Sequence, residues 1–496
     1  MSARAGRGAA AVGLAFLLTA AGGLGLTAQS VRVGGVTSFR YIQVRPLKED
    51  SVPVEETRGD GLLRRTGDGV LVRCVAGEAV CRYYRTDERT STVPGIQDVT
   101  VSGWGFGRGV RVYAHLRART DLGSADDLWP RSEDAFDALA AYVELNRERF
   151  RVRVGRDWKT SGLGYYDYDG ASILVRATRE LTAEAYGGWS LMRGAQTPLT
   201  GDALAAIEPF APDSRAVLLG AQVRYRPTAR LALSGMYQRE IRSDRLGLYS
   251  ERATVDAVYT PGPLSVSGSL EADLVGRQVN EARLDVRWSP ALAWSLGAFA
   301  RHHRPFFELW TIWGAFSPVA FDELGLRAAW RRPGSPLRVQ VEAARRTYAG
   351  TGVGLSFAAL RTDGWKLAAS ADYQVLPGTT LQGGYYGEVA SGAGISEGHL
   401  AARRTLTEGS WLGVSLTAFQ RAYEFRVEEG TVFGAGLEAG YRLDARTRVS
   451  GGVTAYRHRT PSDESGVDWS QLRGSLRLEW TLGPEPGLSR DDGGAP

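Results

Sequence analysis

The sequence predicts an all-β fold: a transmembrane, antiparallel up-and-down β-barrel of about 20 strands, within a range of about 18 to 22, with a small N-terminal β segment. Three observations predict it. Polar and apolar residues alternate at period two, in segments of about ten residues, from about Gln97 to Leu482. No apolar run after residue 30 is long enough for a spanning helix, although the chain reads as exported and is 43 % hydrophobic. Its 62 Gly, 13 Trp and 20 Tyr suit a wall in which Gly opens space and aromatics sit at water–lipid boundaries. Without helices, a bilayer can be spanned only by a closed barrel, because every backbone N–H and C=O must be paired inside the lipid.

Taken in chain order, residues 1–28 read as a secretory signal peptide. Arg4 and Arg7 supply a positive start, Ala9 to Ala21 an apolar run, and small residues come next, so that a cut after Ala28 leaves Gln29 first. Residues 29–96 differ from the rest of the chain. They hold one clear strand pattern (Thr37–Arg45), a charged stretch (Lys48–Asp60) and a cysteine hairpin, and read either as a small β module or as the first strand plus a long loop. Cys74 and Cys81 lie near the two ends of that hairpin. The oxidising environment after export favours a disulfide over two free thiols, and no nearby His or second Cys pair suggests a metal.

From 97 to 482 the barrel pattern runs without interruption. In Gly109–Arg119, Val110, Val112, Ala114, Leu116 and Ala118 alternate with Arg111, Tyr113, His115, Arg117 and Arg119, which a strand places on opposite faces. Connections tend to alternate between short turns, as at Tyr259–Pro263 and Leu443–Arg446, and longer loops, as at Thr120–Asp137, Trp158–Gly170 and Arg193–Asp213. Such sidedness is the habit of outer-membrane barrels, whose short turns are periplasmic. Val353–Asp363 preserves the alternation only if it is a loop, and a strand at Thr37–Arg45 then makes the count even. Residues 483–496 form a polar tail expected to be disordered, so the outer-membrane assembly machinery must read an internal signal ending at Trp480 or tolerate the extension.

The face opposite the apolar one is rich in arginine. Arg111, Arg117, Arg151, Arg153, Arg283, Arg287, Arg327, Arg338, Arg473 and Arg477, with Arg224, are expected to line the pore. Only Lys48, Lys159 and Lys366 are lysines, so 57 of the 60 cations are arginine, while the formal net charge is only +5. Guanidinium groups pair bidentately with carboxylates and phosphates, which suits a pathway for anions. Acids on the same face, such as Glu144, Asp256, Asp285, Glu342 and Glu479, offer the alternative that the arginines hold the wall together.

Phe150–Ile173 resembles large porins of the alginate-export and related specific-porin type, through Val154, Gly155, Arg156, Gly162, Gly164, Asp169 and Gly170. The resemblance covers about 25 residues, and it implies a monomeric barrel that passes an anionic or sugar-like solute. Elsewhere, the residues give little sign of chemistry. His115, His302, His303, His399 and His458 are scattered, and no phosphate-binding glycine loop or nucleic-acid motif occurs. No catalytic, cofactor or metal residues are expected, therefore, and the partners are outer-membrane lipid and a small solute. The expected function is a porin-like channel. Two alternatives stand beside it: a barrel hydrolase using His302, His303 or His458, and a scaffold or export component that docks a partner through residues 29–96. Arg193–Asp213 holds one short helical candidate, Gly201–Glu208, and with Thr120–Asp137 is a candidate to fold inward and narrow the pore.

Overall fold

The computed structural model describes residues 30–44, 47–59, 61, 63–67, 71–75, 77–86, 88–123, 136–191, 216–242, 248–304, 320–331, 333–349, 362–390, 394–423, 430–459 and 469–483. The chain starts with β1 (Ser30–Val44), then β2 (Leu47–Pro53), β3 (Leu63–Arg65), β4 (Leu71–Cys74), β5 (Val80–Thr86), β6 (Thr90–Thr92) and β7 (Pro94–Trp104). Next come β8 (Val110–Asp121), β9 (Phe136–Asn146), β10 (Phe150–Ser161), β11 (Gly164–Arg176), β12 (Leu181–Ser190), β13 (Ala216–Thr228) and β14 (Leu231–Arg242). The far side is β15 (Leu248–Tyr259), β16 (Leu264–Asp273), β17 (Gln278–Ala291), β18 (Trp294–His303), β19 (Phe321–Arg331), β20 (Leu337–Tyr348) and β21 (Asp363–Leu376). The wall is completed by β22 (Thr379–Val389), β23 (Gly394–Thr407), β24 (Ser410–Tyr423), β25 (Gly430–Arg442), β26 (Thr447–Arg459) and β27 (Trp469–Leu482).

From β7 to β27 each strand pairs antiparallel with the next, and β1 pairs with both β7 and β27, so the sheet closes. The result is a 22-strand barrel with the short β6 as one extra strand beside β1. That count is the upper limit of the range read from the sequence. The wall begins at Ser30 rather than near residue 97: residues 30–44 are a wall strand, not part of a separate N-terminal module. The intervening segment forms its own four-stranded sheet in the order β2-β5-β4-β3, with a single 3-10 turn at Val54–Glu56 and a disulfide joining Cys74 to Cys81. Val72, Cys74 and Cys81 are its buried centre.

Connections differ by end. One end carries turns of two to five residues, such as 229–230, 292–293, 377–378 and 408–409, together with the start of β1 and the end of β27. Asp444 belongs to one of these turns: its carboxylate accepts from the Arg446 backbone N–H, which holds it below the usual aspartate range. The opposite end carries the disulfide sheet and the longest connections, 191–215 and 304–320. It also carries short ones, at 162–163, 274–277 and 390–393, so the long-loop end is less uniform than the sequence suggests. Trp158–Gly170, expected as a loop, is strand on both sides of a two-residue turn at 162–163. Most of Val353–Asp363 lies outside the described residues, but β20 pairs directly with β21, so the alternation of ends survives. Residues 201–208 and 484–496 also lie outside them.

Apolar side chains exposed on one face form the outer belt. On β21 Trp365 and Tyr373 are both exposed on this face, eight residues apart, as are Phe433 and Tyr441 on β25. Eight residues span about 26 Å of strand, or about 20 Å of height at a barrel tilt of about 40°. Tyr225, Tyr259, Trp288 and Trp294 continue the lower ring, at the short-turn end. Two aromatic rings bounding an apolar band of this height match a bilayer's hydrocarbon layer. Among the described residues no helix is long and apolar enough to cross a membrane.

Candidate functional site

A hairpin that leaves the wall identifies the inner face. β10 pairs with β9 only as far as Arg156, and β11 pairs with β12 only as far as Tyr168. Beyond those points residues 157–167 belong to their own hairpin, apart from one bond in which the Leu191 N–H donates to the Asp167 carbonyl at 3.0 Å. Their tip is not at the surface: Leu163 is 2 % exposed, and its carbonyl accepts from Arg252 Nη2 on β15 at 2.8 Å. β15 lies four strands further round from β11, a distance that a side-chain contact can bridge only across the concave side. Arg252 and Thr254 therefore mark the lumen, and strand alternation carries that assignment round the wall.

The hairpin bends where glycine permits. Gly155, at φ +128°, stands opposite Gly170, which in turn stands opposite Gly188. A Cβ on Gly170 would run into the Gly187 backbone, and one on Gly155 into the Ala141 carbonyl, so the strands approach there more closely than any side chain allows. Arg156 and Asp169 brace the root with two bonds, 2.6 and 2.8 Å. Past the bend, Leu163, Tyr166 and Tyr168 pack on Tyr186, Leu218 and Met236 of the inner wall. Gly220 leaves room for the Tyr186 ring, whose hydroxyl donates to Gln238 at 2.9 Å. Lys159 donates to Glu184 at 2.5 Å, and Arg252 also pairs with Glu271 at 2.8 Å. A segment of the lumen cross-section is thus filled by a packed, charge-braced hairpin. Gly155, Arg156, Gly162, Gly164, Asp169 and Gly170, singled out in the sequence for their resemblance to large porins, are its bend, brace and turn.

By register, the expected pore-lining arginines all share the face of Arg252. Most are matched by acids. Arg117 holds Asp98 at 2.7 Å, Arg153 holds Glu144 at 2.7 Å, and Arg477 holds Glu479 at 2.7 Å. Arg327 bridges Asp285 and Glu342, at 2.6 and 2.7 Å, and lies over the Phe299 ring. Arg283 pairs with Glu281, and Arg151 is 3.7 Å from Glu184. Five, counting Arg224, have no acid at ion-pair distance among the described residues. Arg111 is 3.5 Å from Ser102, Arg473 donates to Gln471 at 2.6 Å, Arg338 lies beside the Gln340 amide, and Arg287 is near Arg327 in one inner-wall pocket. Arg224 donates to Gln222, and Arg403 stacks on Trp411. Apart from Arg473, these unmatched arginines stand in the half toward the short-turn end, as do the acid-matched Arg151 and Arg153, whereas Arg252 and Arg346, which binds Glu323 and Glu388, lie in acid-matched networks farther up. Arg252 and Arg346 escaped the sequence reading because their roles depend on strands not adjacent in sequence.

The histidines are not brought together. His302 faces outward and contacts Asp322 at 2.7 Å, His303 faces inward onto Glu281, and His458 on β26 stacks on Trp469. No group of three or more metal-ligating side chains occurs among the described residues. Of Thr120–Asp137 and Arg193–Asp213, expected as candidates to narrow the pore, residues 124–135 and all of 193–213 lie outside them.

A closed antiparallel wall with an apolar, aromatic-ringed outer belt and a charged interior defines a β-barrel of the bacterial outer membrane. No family model matches the chain, and no curated protein matches it by sequence. Among solved structures it is similar to the P pilus usher (PapC) translocation pore, at 9 % identity, over 92 % of this chain and 100 % of that one, with a TM-score of 0.43. It is also similar to a BenF-like porin of Pseudomonas fluorescens (11 % identity; 92 % and 100 % covered; TM-score 0.38) and to OpdQ of Pseudomonas aeruginosa (10 %; 92 % and 98 %; 0.37). At those scores the fold rests on the strand pairing itself, and the finer likeness to alginate-export porins gains no support.

Proposed function

We propose that the protein is a porin-like channel through which small anionic or sugar-like solutes diffuse. The observation that carries this reading is the inner wall: a 22-strand closure around a charged face whose unmatched arginines gather at the short-turn end. A barrel of this size encloses more space than its own wall side chains fill. The hairpin of residues 157–167 occupies one side of the lumen, and the disulfide sheet sits at the opposite mouth. With short turns periplasmic, Arg111, Arg224, Arg287, Arg338 and Arg403 form a positive inner vestibule that draws anions by field and by bidentate pairing. Planar-bilayer recording of purified protein tests this. Discrete conductance steps with anion preference are expected; absence of conductance overturns the channel reading, and cation preference overturns the arginine reading.

A further inference from the structure

We propose that Arg89, Arg457 and Arg459 form a site on the outer surface of the barrel for the phosphate groups of outer-leaflet lipid. All three are exposed and lie on the outward face at the long-loop end. Arg457 stands opposite Ser470 in the β26–β27 register, and Arg89 reaches Ser470 Oγ at 3.1 Å from beyond β1. Arg459 stands two residues up the same face of β26, about 7 Å away. Three exposed guanidinium-bearing residues thus share the outward face around Ser470, Arg89 through a hydrogen bond and Arg457 as its strand partner, and none has an acid at ion-pair distance among the described residues. This contrasts with the inner wall, where Arg117, Arg153, Arg252 and Arg346 are matched by carboxylates.

Depth identifies the occupant. Arg457 is the direct β-partner of Phe433, an exposed member of the upper aromatic ring. Immediately below on the outward face lie Ala455 and Leu472, within the apolar belt. A cluster at the ring is level with lipid headgroups, and one just above it reaches the headgroup phosphates. Planar guanidinium forks hydrogen-bond phosphate oxygens bidentately, and the hydroxyl of Ser470 adds a further donor. A bisphosphorylated glycolipid satisfies a three-cation site better than a zwitterionic headgroup, whose own ammonium opposes it. The inference rests on the proposed orientation, with the long loops outside.

The test is titration of the detergent-solubilised full chain with bisphosphorylated lipid A, read by native mass spectrometry. Retention by the wild type is expected, with at least tenfold weaker binding by the triple variant R89A/R457A/R459A. The triple lysine variant is expected to bind at intermediate strength, since it keeps charge but loses the forks. Lipid A stripped of both phosphates is expected to bind the wild type no better than the intact lipid binds the alanine variant. Equal binding by wild type and alanine variant overturns the proposal, as does equal binding of the stripped lipid. So does displacement by inorganic phosphate at equimolar concentration, which marks a free-anion site. Heat-modified gel migration reports folding, and if the triple variant fails to fold, Arg457→Ala alone decides by the same criteria. Channel conductance unchanged in the alanine variant separates this result from that of the channel reading.

Discussion

At the residue scale, Gly35 shows how a missing side chain closes the barrel. The indole of Trp480 lies where a Cβ on Gly35 would stand, at the seam where the first and last wall strands meet. Gly35→Leu therefore has to evict Trp480 or part the two strands, which overpacks the one contact that leaves no free edge. The expected outcome is loss of most of the heat-modifiable folded band on refolding into detergent or lipid. A folded yield equal to wild type refutes that role for the seam. The sequence displays Trp480 as the aromatic closing the last strand, while Gly35 stands just before the strand pattern read at Thr37–Arg45. It does not display their contact, which joins positions at opposite ends of the chain.

At the element scale, the hairpin of residues 157–167 is the structure's departure from a plain wall. Its sequence is rich in glycine and tyrosine and reads as a loop; its pairing makes it a strand pair that turns inward. Three things hold it: the glycine bend, the Arg156–Asp169 brace and the Leu163–Tyr166–Tyr168 contact with the inner wall. Burying Leu163 contributes about 2 kcal/mol, and the charged bonds around it add direction more than strength. Replacing residues 158–166 by two glycines is expected to raise single-channel conductance by at least half without loss of folding. An unchanged conductance shows instead that the hairpin lies clear of the conducting path. Residue types alone do not separate an inward hairpin from an outward loop. What decides is the arrival of Arg252 and Thr254 four strands away.

At the scale of the whole molecule, the inner-face arginines divide into acid-matched and unmatched sets. Matched ones occur toward both ends, from Arg151 with Glu184 beside the short turns to Arg346 with Glu323 and Glu388 near the long connections, whereas most unmatched ones stand in the half toward the short turns. Matched pairs within the wall act mainly as structure, because each charge is already neutralised at hydrogen-bond distance. Only the unmatched set biases the ions that pass. Arg287→Glu with Arg338→Glu is therefore expected to shift the reversal potential in a salt gradient toward cation preference. Arg117→Glu is expected to disturb folding more than selectivity, since Asp98 would then face a second acid. The reverse ranking refutes a division of labour between matched and unmatched arginines.

The sequence by itself determined that this chain is a large antiparallel barrel and which face of each strand is apolar, because strand geometry places alternate residues on opposite faces whatever the neighbours are. For the same reason it put arginine on the face opposite the apolar one. Only the tertiary structure decided how many strands close the wall, since four long-end connections are as short as turns. It alone assigned residues 30–44 to the barrel and turned residues 157–167 into the lumen. Above all, it decided which arginines have acid partners. Partnership depends on inter-strand register and on contacts between strands far apart in sequence, and no period within a single strand encodes either.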